Sequence, residues 1–250
     1  MNTIKMILRR IMPFYIATFI FIVITEIFEL KNIADNFAYV DGVHLYVNAN
    51  TTVFFLIPYL LIPSLYGYIY YSDRKNGFDN YIGSRISIIN YKIKIFIVTF
   101  LSCFLFIFFK ERIIFYMAVL LKGNIISSQN NSSLIILASM SSGSAYLDSI
   151  AFSLWRAFTF SLHAICAVVL SFNIRNFFVI ATGGFIYRFL SDLIGTITPF
   201  FSYISLVSSE SLAGFPQSST FARIIGFIIF IMFIILVNFI GSIRRRRELT

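Results

Sequence analysis

Polar and apolar positions along this chain sort into long blocks. Apolar runs cover residues 12–30, 52–71, 93–116, 152–172, 177–197 and 222–243, and the polar positions collect between them. Each run is near the ~20 residues that a helix needs to cross a ~30 Å hydrocarbon layer. Within the runs apolar residues are continuous and do not alternate, which predicts helices over the dyad repeat of a membrane β-barrel. An open chain crosses lipid only in these two forms, because hydrocarbon satisfies no backbone polar group. The pattern predicts an all-α integral membrane protein with six transmembrane helices. No remaining segment is long enough for a separate soluble core, so residues 1–250 are expected to form a single transmembrane domain.

Composition agrees: 58% of the residues are hydrophobic and only 12% charged, far from the balance of a soluble domain. The net charge of +9 would suggest nucleic acid in a soluble protein, but its distribution points elsewhere. An even number of spans puts both termini on one side. That side carries Lys5, Arg9, Arg10, Arg74, Lys75, Arg85, Lys92, Lys94, Arg175 and the run Arg244, Arg245, Arg246, Arg247. The opposite loops carry only Lys31, Lys110, Arg112 and Lys122. The positive-inside rule then places both termini in the cytoplasm of a plasma membrane. The charge marks topology and lipid contact, with no nucleic-acid partner. Residues 1–10 mix basic and apolar positions and predict a short lead-in helix on the inner membrane surface. Glu26 and Glu29 stand where a signal peptide would carry its small-x-small cleavage site, so the first run is kept as a span. Cys103 and Cys166 both fall inside spans and imply neither a disulfide framework nor a zinc site. Abundant Ile, Phe, Asn and Lys fit an AT-rich bacterial genome.

Within the third run, Lys110-Glu111-Arg112 interrupts the apolar residues. The simplest reading is a helix that reaches the outer interface near Lys110 and runs on past it; a re-entrant hairpin is the alternative, although no Gly or Pro marks a turn. Residues 123–149 predict a long exposed outer loop, 173–176 a tight cytoplasmic hairpin, and 199–220 a second outer segment. Tyr66, Tyr68, Tyr70 and Tyr71 predict an aromatic belt at the inner interface.

Several chemistries are excluded by what is missing. The chain has no Gly-Lys-Ser/Thr and hence no P-loop. It has two histidines, His44 and His163, and no His-Glu-x-x-His, too few ligands for a membrane metalloprotease. No Gly-x-Ser-x-Gly elbow occurs. No cofactor is expected, and any ATP-driven step would need ATP hydrolysis by another chain.

The most specific signal lies between the second and third runs, in residues 73–87. Phe78, Tyr81, Ile82, Ile86 and Ile89 recur at helical spacing, while Asp79, Asn80, Gly83, Ser84 and Ser87 form the opposite face. Such a helix lies flat under the membrane with its polar face offered to a cytosolic partner, or is an ordinary interfacial loop helix without one. The segment resembles the loop between the second and third spans of type-2 ABC exporter permeases. Asp73, Arg74, Gly77, Tyr91 and Lys94 match that family's order of acid, base, glycine, tyrosine and lysine. The six-span layout, the short hairpin after the fourth span and the outer segment before the last are similar too. The resemblance implies that Asp73, Arg74, Gly77, Asp79, Asn80, Gly83 and Ser84 belong to a coupling helix seated in a cytosolic ABC ATPase subunit. It also implies a permease that works as a homodimer or beside a similar permease.

Polar residues inside spans are costly and therefore candidates for function. Arg188 and Asp192 sit four apart on one helical face and can pair; Tyr187 lies beside Arg188, and His163 falls near the middle of the fourth span. They either line a substrate path or fix helix register. Glu26 and Glu29 lie about 22–27 Å beyond the cytoplasmic start of the first span, at the outer headgroup level. There they either select cationic substrates or are exposed interfacial carboxylates. Arg156 and Arg223 are expected to snorkel outward. Three functional classes compete: the permease of an ATP-driven exporter of a peptide, drug or lipid-like substrate, a stand-alone membrane immunity or binding protein, and an intramembrane protease. The last would have only Glu26, Glu29 and His163 as candidates, at different depths.

Overall fold

The computed structural model describes residues 3–36, 42, 45–46, 56–77, 87–122, 145–174, 176–197 and 220–247. All of its elements are helices: α1 Thr3–Asn36, α2 Leu56–Lys75, α3 Ile88–Lys122, α4 Ala145–Asn173, α5 Phe177–Ile197 and α6 Thr220–Arg247. Among the described residues three helices are long and apolar enough to cross a membrane, over Ile7–Asn36, Ile89–Lys122 and Ser149–Asn173. Helices α5 and α6 have shorter apolar stretches, Phe177–Leu190 and Gly226–Gly241.

Helix α4 is the axis of the bundle. It packs against α3, α2, α5 and α6, while α1 lies on the outer side of α3 and α2. The sequence of α4 explains this position. Ser153, Ala157, Ser161, Ala164 and Ala167 are small and buried, and small side chains let helix backbones approach closely in a bundle that gains little from apolar burial in lipid. The Ser161 hydroxyl reaches the Phe100 carbonyl of α3 at 3.3 Å. On α2, Gly67 serves the same end: a Cβ there would lie 2.5 Å from Ile180 of α5. Helix α3 instead turns Ile93, Ile97, Leu101, Leu105 and Phe109 outward in a regular i, i+4 stripe, as a lipid-facing helix does.

The hairpin at 173–176 takes a simple form. The Ile174 amide closes the last turn of α4 onto the Leu170 carbonyl at 2.7 Å. The Asn176 side chain then accepts the Phe178 amide at 2.9 Å as the N-cap of α5.

Several expectations change. The 1–10 segment is not a separate surface helix, since α1 runs unbroken from Thr3 with Pro13 inside it. Helix α3 likewise passes through Lys110-Glu111-Arg112 without a break, so there is no re-entrant hairpin. The predicted outer loop 123–149 is shortened, because 145–149 already belong to α4; its residues 123–144 lie outside those described. In the tyrosine belt only Tyr68 faces outward; Tyr66 and Tyr70, one turn apart on the inner face, are buried. The Tyr66 hydroxyl sits 2.9 Å from that of Ser102.

Helices α1 and α3 have 34 and 35 residues, so each is about 50 Å long. That exceeds a ~30 Å hydrocarbon layer. Their far ends form a second apolar cluster in which Leu30, Ile33 and Ala34 meet Ile114, Phe115 and Ala118, with Leu45, Tyr46 and Phe152. The Lys122 ammonium closes this end on the Ala34 carbonyl at 2.6 Å.

Candidate functional site

Polar groups inside the bundle occupy three levels, and α4 sets the spacing. Phe172, His163 and Arg156 mark them along this helix, about 13 Å and then about 10 Å apart at 1.5 Å per residue.

The first level is at the base of the bundle, where α2 ends. Asp73 is buried and ion-paired with Arg10 of α1, and it accepts the Tyr91 hydroxyl of α3 at 3.4 Å. Next to it, Arg74 Nη1 donates to the Phe172 carbonyl of α4 at 3.0 Å. Two consecutive residues thus tie α2 to α1, α3 and α4. Gly77 ends the helix in the left-handed region at φ 68°, its amide bonded back to the Arg74 carbonyl at 3.2 Å. Glycine takes this conformation without the penalty that a Cβ brings. Asp79, Asn80, Gly83 and Ser84 lie outside the described residues. Burial pushes the Asp73 carboxyl above its ordinary range against the pull of Arg10. A carboxyl whose folded pKa is raised holds its proton more tightly folded than unfolded. Its contribution therefore falls as pH rises from the unfolded value through the folded one. Arg10→Ala, which leaves that carboxylate buried without its cation, is expected to cost more than Asp73→Asn, which removes the charge itself. The expected difference is about 1 kcal/mol, because Arg10 is 40% exposed and its pairing is screened. Thermal unfolding of the two variants at neutral pH measures it.

The second level is aromatic. His163 is fully buried between the rings of Tyr59 and Phe230, 5.2 and 4.9 Å away, and against Gly184, where a Cβ would come within 3.0 Å of its Nδ1. Arg188 lays its guanidinium over the other side of the cluster, 4.1 Å from the Tyr59 ring centroid, a cation–π contact. Tyr187 stacks on Phe233 at 4.6 Å and meets Phe230 at a tilt, 4.8 Å away. The structure therefore brings His163, Tyr187 and Arg188 together from α4 and α5 around Tyr59 of α2 and Phe230 of α6. The side chain of Asp192 lies outside the described residues, and its predicted pairing with Arg188 lies there with it.

The third level is a buried ion cluster. Lys110 Nζ lies 2.9 Å from Glu26 Oε1 and 2.8 Å from Glu111 Oε1. Arg156 Nε lies 3.3 Å from the same Glu111 oxygen, and the Tyr46 hydroxyl donates to Glu111 Oε2 at 2.6 Å. Lys110 and Glu111 are 0% exposed. Two carboxylates thus meet two cations, and the cluster clamps α1, α3, α4 and the segment after α1. The arrangement reverses two expectations. Arg156 does not snorkel outward but turns into the bundle, where it is 4% exposed and paired with Glu111. Glu26 is paired inside instead of exposed at the interface; Glu29, one turn on, is half-buried.

Lys110, Glu111, Arg112 and Tyr46 were not singled out by sequence as site residues. A signal for the first three was present: consecutive charges on a helix point about 100° apart, so a continuous α3 sends them toward three different neighbours. No cluster of His, Cys, Asp or Glu among the described residues could hold a metal ion, and Cys103 and Cys166 are buried free thiols.

Among the described residues an all-helical bundle with three helices fit to cross a bilayer, an outward apolar stripe and a cluster of buried charges defines the class: a membrane protein. No protein-family model, curated protein or solved structure matches the chain.

Proposed function

We propose that this chain is the membrane-spanning permease subunit of an ATP-driven exporter of the type-2 ABC kind. On this reading all six helices cross the plasma membrane of a bacterial cell, with both termini cytoplasmic. The chain itself is not an enzyme; a separate cytosolic ABC ATPase docks on the polar face carrying Asp79, Asn80, Gly83 and Ser84. Two copies, or one copy and a similar permease, enclose the path of a peptide, drug or lipid-like substrate.

The observation that supports this reading best is the knot at the base of α2. A coupling segment needs a rigid connection to the helices it moves. Asp73 and Arg74, which the resemblance assigns to that segment, lie instead in the last turn of α2, where they hold α1, α3 and α4 together through Arg10, Tyr91 and the Phe172 carbonyl. A force applied to residues 78–86 would then reach four helices and not α2 alone. The aromatic level around His163 and Arg188 is the candidate for substrate contact, since it is the polar feature closest to mid-bundle.

Purification from native membranes in a mild detergent tests the proposal. An exporter permease is expected to bring down a nucleotide-binding subunit and ATP hydrolysis. Recovery of the chain alone, with no hydrolysis, would favour a stand-alone immunity or binding protein. Orientation has its own test. Single cysteines replacing Ser128 and Ser209 are expected to react with an impermeant thiol reagent on intact cells, and a cysteine replacing Ser84 only after permeabilisation. Cys103 and Cys166 are 0% and 1% exposed, so their background reaction should be small. Labelling at position 84 from outside contradicts the orientation.

A further inference from the structure

Arg112 stands apart from the balanced ion cluster beside it. It is 8% exposed, and it has no ion-pair partner among the described residues. Its Nη1 donates to the Ser149 hydroxyl at 2.8 Å, and that hydroxyl donates to the Tyr146 carbonyl at 2.7 Å. Its Nη2 is buried without any hydrogen-bond partner. The guanidinium carbon lies 4.7 Å from the Phe115 ring centroid and 5.2 Å from those of Tyr116 and Tyr146. A guanidinium has five donors and cannot be discharged by losing a proton. A buried, permanently charged donor left open is costly, and such groups are normally found with a partner.

The Tyr116 and Tyr146 hydroxyls face each other 3.0 Å apart, and both side chains are exposed. This exposed pair of hydroxyls sits on the two rings that flank the guanidinium. The set is one guanidinium fork and two phenols, with three rings and, among the described side chains, no carboxylate. One positive charge beside two hydroxyls that can donate selects an oxyanion. The site lies on the outer stretches of α3 and α4, one helical turn beyond the ion cluster. Leu120 and Leu147 stand exposed nearby on the same two helices, at 76% and 53%.

We infer that Arg112, Tyr116 and Tyr146 form a binding site for a phosphate oxyanion, carried by a phospholipid headgroup or by a soluble phosphate. The exposed leucines are placed to receive an acyl chain when the phosphate is a lipid's. This site does not depend on the exporter reading, since it needs neither an ATPase nor a second copy.

Native mass spectrometry of the delipidated full-length protein tests it with three probes: phosphatidylglycerol, the diacylglycerol with the same chains, and inorganic phosphate. The wild type is expected to retain phosphatidylglycerol at least about tenfold more tightly than diacylglycerol, as a charge-assisted hydrogen bond is worth about that factor. Displacement of the lipid by millimolar inorganic phosphate identifies a free-anion site, and lipid retention unaffected by phosphate identifies a headgroup site; either supports the oxyanion. Arg112→Gln is expected to abolish the preference for the phosphorylated lipid. Should that variant fail to fold, Tyr116→Phe with Tyr146→Phe removes only two exposed hydroxyls and is expected to weaken retention about tenfold with an unchanged melting temperature. Equal retention of phosphatidylglycerol and diacylglycerol by the wild type, or wild-type affinity in the folded double tyrosine variant, overturns the inference.

Discussion

Glu111→Ala is expected to be among the most destabilising single substitutions in the chain, at about 3–5 kcal/mol. Glu111 is the acceptor for Lys110, Arg156 and Tyr46 together. Its loss leaves two buried cations facing Glu26 alone, and an uncompensated buried charge is what makes breaking such a pair expensive. A whole domain is held by about 5–15 kcal/mol, so the variant should melt on the order of 10 °C lower. Removing one charge of each sign, as Glu111→Leu with Arg156→Leu, restores the balance and should lose clearly less than Glu111→Ala. The assay is provided by the chain itself: Cys103 and Cys166 are buried thiols that should react with a thiol dye only as the bundle opens. A double variant at least as unstable as Glu111→Ala would mean that packing, not charge compensation, holds this level together.

The second large effect concerns function and comes from the base of α2. Gly77→Val combined with Asp79→Lys is expected to abolish association with the ATPase and substrate-stimulated hydrolysis, while membrane insertion persists because neither position lies in an apolar run. The two positions act differently. A Cβ at Gly77 would meet no atom within 4 Å, so space is not the constraint. The constraint is φ 68°, a conformation that costs an L residue roughly 1–2 kcal/mol and a β-branched one more. Gly77→Asn should therefore retain the partner, since asparagine visits this region routinely, whereas Gly77→Val should not. Asp79→Lys reverses charge on the proposed contact face. Asp41→Lys, on the other side of the membrane in the proposed topology, is the control and should leave association unchanged.

The hydrophobic pattern carried much of the fold. Residues 177–197 were bounded correctly as a run and as α5, because Asn176 caps one end and the apolar residues are unbroken. Helix ends elsewhere were less legible. Apolar runs mark what lies in hydrocarbon, but α1 and α3 go on past it by packing against each other through Leu30, Ile33, Ile114 and Ala118, a long-range contact. The site was legible in its parts and not in its pairings. His163, Tyr187 and Arg188 could be picked out as polar residues in apolar runs. Their shared partners Tyr59 and Phe230 come from helices far away in sequence, with nothing local to mark them. Lys110-Glu111-Arg112 looked like an interruption because charge counts against a span. Inside a bundle Lys110 and Glu111 are satisfied by Glu26, Arg156 and Tyr46, while Arg112 donates to Ser149 and keeps Nη2 open, and the run of charge becomes the clamp between helices.

The exporter reading is tested most directly in living cells by a photo-crosslinking amino acid placed at position 84, on the face proposed to meet the ATPase. The expected result is a light-dependent adduct between this chain and a nucleotide-binding protein, lost in the Gly77→Val, Asp79→Lys background and absent when the crosslinker replaces Asp41. Adducts at position 84 with lipid or with this chain alone, and none with a nucleotide-binding protein, would contradict it.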